Sequence, residues 1–218
     1  MFARWWRGGS HRIGQADRVE RHRTIVVGGG ILGLAFARQV LLDDPGASLT
    51  VLEKGSAVAQ QQSGRNSGVV HAGIYYAPGS LKARLCREGG DLLERFCADH
   101  GIMFERCGKV VVATTAEERE RLDGLLERSL ANDVPGVRLV DAAELRELEP
   151  HVHGLAAIHS PHTGIVDFPG VCRALAADVQ RLGGRVRVEA EVVGIAQHED
   201  EVAVEVAGGE RLTAERVV

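Results

Sequence analysis

From Thr24 onward, the apolar positions of the chain fall into recognisable periods. Ile25, Val26 and Val27 form an unbroken apolar run that ends in glycines, Ile31 to Leu42 repeats at helical spacing, and Leu49, Thr50 and Val51 form a second run ending at Glu53. Strand, tight turn, helix and strand are predicted in that order. Residues 54–79 are rich in Gly, Ser, Gln and Asn and show no period; in a compact domain a loop of this length is expected where it lines a ligand. Leu81, Leu85, Leu92 and Phe96, with Cys86, Leu93 and Cys97 beside them, predict a helix over Ser80 to His100 with Ser80 as its N-cap. Gly89 and Gly90 interrupt it at a cost of about 1 kcal/mol each against alanine, so close approach of another backbone is expected there.

The middle of the chain reads as a separate layer. Met103 to Thr114 is strand-like around Val110 to Val112, Ala116 to Leu130 is an amphipathic helix on Leu122, Leu125, Leu126 and Leu130, and a short strand and helix run through Leu148. Pro169 and Gly170 then open another helix, with Val171, Leu175, Val179 and Leu182 on one face and Gly183-Gly184 at its end. Val186, Val188, Ala190 and Val192 alternate with Arg187, Glu189 and Glu191, and Val202, Val204 and Val206 alternate again after a turn at His198 to Asp200, the pattern of a small antiparallel meander. Arg216, Val217 and Val218 read as the opening of a further strand with no partner or successor. The expected division is an extension over 1–23, a nucleotide-binding part over 24–102, a substrate or cap segment over 103–166, and a return to the first part over 167–218.

Composition narrows the classes. With 218 residues, 44% hydrophobic and 26% charged, the chain can bury a core, and its net charge of -4 is spread without long single-sign blocks, so no nucleic-acid partner is expected. Cys86, Cys97, Cys107 and Cys172 form no C-x-x-C pair and read as reduced thiols. No run approaches the roughly 18 apolar residues of a spanning helix, which leaves peripheral membrane contact open. The first 23 residues carry six arginines with Trp5 and Trp6. A mitochondrial-type presequence would use such arginines, but Asp17 and Glu20 work against it, and a flexible extension or misassigned start is the reading adopted. Lys54, Lys82 and Lys109 are the only lysines among many arginines, a bias that points to GC-rich coding and a bacterial cytoplasm, with contact at the inner membrane allowed.

Gly28, Gly30 and Gly33 form a G-x-G-x-x-G pattern directly after a predicted strand and before a predicted helix, and Glu53 follows 20 residues beyond Gly33 at the end of the next strand. Each glycine has a reason: the first for the tight turn, the second for backbone approach to a pyrophosphate, the third for close helix–strand packing. The helix N-terminus attracts phosphate, and the acid accepts a ribose hydroxyl. These residues alone do not choose between FAD and NAD.

The segment Gln61-Gln62-Ser63-Gly64-Arg65-Asn66-Ser67-Gly68-Val69-Val70-His71-Ala72-Gly73-Ile74-Tyr75-Tyr76, continuing through Pro78-Gly79-Ser80-Leu81-Lys82-Ala83, resembles the L-2-hydroxyglutarate dehydrogenases and oxidases of the D-amino-acid-oxidase-like FAD superfamily. The likeness extends from Thr24 to Val218 through Cys107-Gly108-Lys109-Val110, Glu144-Leu145, Glu149-Pro150 and Thr163-Gly164-Ile165-Val166-Asp167-Phe168, with Gln61 standing where many relatives have histidine. The resemblance implies an α/β chain: a Rossmann-like FAD-binding βαβ domain with an inserted α+β substrate segment. It also implies FAD as cofactor, oxidation of L-2-hydroxyglutarate to 2-oxoglutarate by hydride transfer, and oxygen or a quinone as electron acceptor. The family's remaining substrate strands and last flavin-contacting glycines would follow Val218, so the fold is expected to be truncated at its C-terminus and to enclose an incomplete active site. The alternatives are an amino-acid, secondary-amine or glycerol-phosphate oxidoreductase of the same superfamily, or an inactive fragment.

Oxidising a 2-hydroxy acid needs a base near the hydroxyl, and His71 is the titratable residue of the loop. A covalent tether for the flavin and a purely structural histidine are the other readings of His71. Arg65 and Lys82 are the nearby cations for a dicarboxylate, with solvated surface positions as the plain alternative. Tyr75 and Tyr76 offer a hydroxyl to a carboxylate or an aromatic wall. By family analogy Ser63, Asn66 and Ser67 approach the flavin phosphates and the Val192 backbone meets adenine. His151, His153, His159 and His162 cluster in sequence but lack zinc-like spacing, and no metal site is expected.

Overall fold

The computed structural model describes residues 20–218; the arginine- and tryptophan-rich start lies outside the described residues. In chain order the elements are β1 (Glu20–Val27), α1 (Ile31–Asp43), β2 (Leu49–Leu52), β3 (Val69–Val70), α2 (Leu81–His100), β4 (Phe104–Glu105), β5 (Val110–Ala113), α3 (Ala116–Ala131) and β6 (Arg138–Asp141). There follow α4 (Ala142–Leu148), β7 (Ala156–His159), β8 (Gly164–Val166), α5 (Phe168–Arg181), β9 (Arg185–Arg187), β10 (Val192–Gln197), β11 (Val202–Val206) and β12 (Arg211–Val217).

Three sheets organise these elements. The largest runs in the order β10-β11-β12-β1-β2-β9, parallel from β12 through β9 and antiparallel across β10, β11 and β12. Strand alternation splits its core. Val26 and Val51 face a helical layer in which Leu34, Ala37 and Leu41 of α1 pack with Val171, Leu175 and Val179 of α5, while Ile25 and Leu52 join Val204, Val206, Leu212 and Ala214 on the other side. Fully burying an aliphatic side chain of this size stabilises by about 1.5–3 kcal/mol, so this two-sided burial is what holds β1 rigid up to the turn that follows it. The small sheet β5-β7-β6 packs against α3 through Ala113, Leu122 and Ile158 and against α4 through Val140, Leu145 and Ala157. The sheet β3-β8-β4 joins the long loop to the middle of the chain, with Val69 opposite Ile165 and Phe104 opposite Val166.

Ser80 caps α2 by accepting from the Ala83 amide, and Thr115 and Glu118 form a reciprocal capping box on α3. Four sequence expectations are corrected. A Cβ on Gly89 would meet nothing within 4 Å and one on Gly90 only a Val70 methyl at 3.9 Å, so no backbone approaches the glycine pair. The alternating stretch from Val186 to Val192 is not one strand: β9 hydrogen-bonds β2 at one edge of the sheet, Glu189 turns through a φ of 53°, and the chain crosses to the opposite edge to begin β10. The final strand has partners on both sides, since β12 lies between β1 and β11. Strand β1 also begins at Glu20, inside the stretch read as an extension.

Candidate functional site

The turn between β1 and α1 is built from backbone that only glycine tolerates. Gly28 has a φ of 110°, and its amide donates to the Leu52 carbonyl at 2.7 Å, tying the turn to β2. Gly33 is required for a different reason: a Cβ there would stand 2.3 Å from the Gly28 carbonyl oxygen. Gly30 is the N-cap of α1 and supplies no capping side chain. The Ser63 hydroxyl instead reaches back from the long loop and accepts from the Ile31 amide at 2.9 Å. Glu53 is buried, and its carboxylate accepts from the amides of Gly29 and Gly55, each at 2.7 Å, so the acid also braces the turn against the loop.

Around this turn lies a cavity of about 400 Å³, lined by Gly28, Gly30, Glu53, Ser63, Val192 and the run Gln60-Gln61-Gln62. Its wall is completed where the chain crosses the sheet, because Ala190 donates to the Glu53 carbonyl at 2.9 Å on its way to β10. The volume falls within the range of small-molecule pockets. The donor set also fits the diphosphate and ribose of FAD: amides at a helix N-terminus, a hydroxyl, and a carboxylate whose oxygens retain acceptor capacity. Asn66 and Ser67 lie away from this wall. Asn66 donates to the carbonyls of Gln62 and Ser63 and accepts from the Gly68 amide at 2.7 Å, so its amide holds the shape of the loop, and Ser67 is exposed. Of the glutamines of the wall, Gln61 was marked in the sequence as a departure from its relatives, whereas Gln60 and Gln62 carried no signal as lining residues.

His71 lies farther along the loop, in a small cleft shared with Cys86, Arg87, Asp91, Arg106 and His162. The two arginines are committed. Arg87 donates to the carbonyls of Asn132 and Asp133, and Arg106 pairs with Glu94, lies 3.6 Å from Asp91 and meets His162 Nδ1 at 2.9 Å. The loop is strapped to α3: the Asn132 amide donates to Gly73 at 3.1 Å and to Tyr76 at 2.8 Å, and Ile74 is buried beneath. Lys109 donates from Nζ to the Tyr75 hydroxyl at 2.8 Å, its ammonium 4.5 Å from the centre of that ring. Burial, and then the charge of Lys109, push the His71 pKa below its ordinary 6.5, which leaves the ring neutral and able to take a proton at pH 7. Arg65 and Lys82 are exposed and form no ion pair among the described residues. The structure thus joins Tyr75 to Lys109, a residue that stands in the sequence only as part of a motif, and the Lys109 charge also reaches His71. Of the four clustered histidines, His151, His153 and His162 are exposed and His159 is half-buried. Among the described residues no helix is long and apolar enough to cross a membrane.

The pattern of the FAD dependent oxidoreductase family, DAO, matches residues 23–218. The chain is 49% identical over 171 residues to the mitochondrial L-2-hydroxyglutarate dehydrogenase of Homo sapiens, covering 78% of this chain and 37% of that protein. It is 46% identical over 173 residues to the L-2-hydroxyglutarate dehydrogenase of Indibacter alkaliphilus, covering 79% and 43%. The chain therefore spans about two-fifths of the length of these curated relatives. Among solved structures, L-alpha-glycerophosphate oxidase from Mycoplasma pneumoniae with FAD bound superimposes with a TM-score of 0.83 at 25% identity, covering 91% of this chain and 53% of that one. Glycine oxidase from Geobacillus kaustophilus shares the fold with a TM-score of 0.80 at 24% identity, covering 91% and 54%. With a glycine turn, an acid at the end of β2 and a helix N-terminus facing one cavity, and a family match across almost all described residues, this chain belongs to the FAD-dependent oxidoreductase (DAO) family.

Proposed function

We propose that the protein takes part in oxidising a 2-hydroxy dicarboxylic acid, L-2-hydroxyglutarate, to 2-oxoglutarate. The observation that carries this reading is the 46–49% identity to proteins named L-2-hydroxyglutarate dehydrogenase over more than three-quarters of the chain. The Gly28–Gly33 turn and the α1 N-terminus hold the diphosphate, Glu53 holds a ribose hydroxyl, Ser63 faces the phosphates, and the Val192 backbone borders adenine. Asn66 acts by keeping Ser63 in place, and Ser67 serves the same loop. The chemistry supplied by FAD, when bound, is acceptance of a hydride from C2 and its later release as electrons to oxygen or a quinone. His71, neutral at pH 7, takes the proton of the substrate hydroxyl as C2 loses its hydride, so that a carbonyl forms and charge balances. Tyr75 donates its hydroxyl to a substrate carboxylate, and Arg65 and Lys82 lend positive field from farther out. The expected setting is the cytoplasm, with the quinone option requiring contact at a membrane face.

The test is a visible absorbance spectrum of the purified protein before and after anaerobic addition of L-2-hydroxyglutarate. Flavin bands that bleach with the L but not the D isomer support the reading. Bands that persist with L-2-hydroxyglutarate, yet bleach with glycerol phosphate or a secondary amino acid, overturn it in favour of another oxidation of the same superfamily.

A further inference from the structure

The two arginines of the His71 cleft have spent their charge, whereas Lys109, which lies outside that cleft on Tyr75 of the same loop, has not. Its ammonium is half-buried, donates one hydrogen bond to a phenol, and forms no ion pair among the described residues. The position is built rather than incidental. Gly108 takes a φ of 76° immediately before Lys109, and the Lys109 backbone exchanges two hydrogen bonds with Ser160, at 3.1 and 2.8 Å. On the opposite side, the loop that carries Tyr75 is strapped to α3 through Asn132 and Arg128. Both members of the pair are therefore anchored to hydrogen-bonded backbone.

The hydrogen-bond inventory of the pair is one-sided. Lys109 keeps two N–H donors after the bond to Tyr75, and Tyr75, which accepts that bond, keeps its own O–H to donate. Converging donors on a half-buried cation with no counter-charge are the complement of a carboxylate, whose two oxygens accept only. We propose that Lys109 receives a carboxylate of the substrate beside His71, with the Tyr75 hydroxyl as co-ligand. This rests on the reading of the protein as a 2-hydroxy dicarboxylate oxidoreductase and supplies its specificity for an anionic substrate. It also gives His71 a response to substrate. Burial, then the Lys109 charge, depresses His71 in the free protein, and a carboxylate arriving on Lys109 offsets the second of these. The histidine becomes a stronger base when substrate is present. The ionisable side chains that line the His71 cleft with it, Arg87, Asp91, Arg106 and His162, are engaged with one another or with backbone.

The test uses FAD-loaded protein and two probes, glutarate and butyrate, a dicarboxylate and a monocarboxylate that cannot be oxidised at C2. Binding is followed by the flavin difference spectrum and by NMR of the His71 ring in the parent, Lys109→Gln, Lys109→Arg and Tyr75→Phe proteins. Glutarate is expected to raise the His71 pKa in the parent, to bind about 10- to 100-fold more weakly to Lys109→Gln, and to recover most of its affinity in Lys109→Arg. Tyr75→Phe should lose a smaller factor, and it tests the site should Lys109→Gln fold poorly. Equal glutarate affinity in parent and Lys109→Gln, or no glutarate binding by the parent, overturns the assignment. Should L-2-hydroxyglutarate fail to bleach the flavin while glutarate still depends on Lys109, the oxidation reading falls and the carboxylate site stands. Should it bleach with a KM unchanged in Lys109→Gln, the reverse holds.

Discussion

Two glycines five positions apart in the nucleotide turn fail for different reasons when a side chain is added. Gly28 has a left-handed φ of 110° and open space where a Cβ would go, whereas Gly33 has an ordinary backbone and no space at all, 2.3 Å from the Gly28 carbonyl. Gly33→Ala must push α1 away from β1, with an expected loss of about 1–3 kcal/mol in thermal unfolding and loss of retained flavin on purification. Retention of both would show that the helix can slide without cost. At His71, replacement by alanine should slow flavin reduction by substrate far more than it weakens FAD binding; an equal loss of both would sink its role as base. Its depressed pKa places the acid limb of flavin reduction below pH 6.5. The same sign governs stability. His22, His71 and His159 all have folded pKa values pushed below 6.5, with burial as the first cause of each, so the unfolded chain binds more protons and stability falls as pH drops through 6.5. Chemical denaturation at pH 7.5 and pH 5.5 should show the lower midpoint at the acidic pH.

At the scale of elements, the helical layer is joined by one buried acid. Asp178 of α5 accepts from Arg38 of α1 at 2.6 Å and from Arg181 at 2.8 Å, and lies 3.3 Å from His100 of α2. Burial pushes its carboxyl up, but hydrogen bonds from Arg181, Arg38 and His100, with the Arg38 charge, outweigh it and hold the pKa at about 2 against an ordinary 3.8. The stability this contributes is present above pH 3.8 and is lost as pH falls toward 2, and amounts to about 2 kcal/mol. Asp178→Asn should lower the unfolding free energy by a similar amount at pH 7 and by little at pH 2, which denaturant titrations at the two pH values would check. Much of the element map was legible in the chain, because β1, α1 and β2 carry unbroken apolar runs and a 3.6 period, and the cap Ser80 carries a residue type that caps require. What was misread has a local cause. Alternation continues smoothly from Val186 to Val192, and side-chain pattern does not register the left-handed turn at Glu189 that sends the chain to the far edge of the sheet. Within the candidate site, Gly28, Gly30 and Gly33 stood out because the turn dictates their type, Glu53 by its spacing from them and Ser63 only through the family resemblance, whereas the approach of Lys109 to Tyr75 exists only in the folded chain.

For the molecule as a whole, β12 is the strand that the sequence pattern left partnerless, since its partner β1 is remote in the chain: Thr24 aligns with Arg216, 192 positions away. It nonetheless separates β11 from β1, and Val218 exchanges hydrogen bonds with Ile25 and Val27 at 2.9 and 2.8 Å. Removing residues 211–218 should leave β1 as a bare edge, uncover Ile25, and abolish cooperative thermal unfolding; a truncated chain that still melts in one sharp step and retains flavin would show that β11 can take its place. The same pairing sets a timetable for biosynthesis. On the ribosome, the strand that carries the nucleotide turn emerges 192 positions earlier than the part of β12 it pairs with, and until that neighbour arrives its open edge can pair with other nascent chains. Cofactor loading is therefore expected to wait for β12, and a holdase that shields the nascent β1 edge would raise the yield of yellow protein without touching the nucleotide site itself.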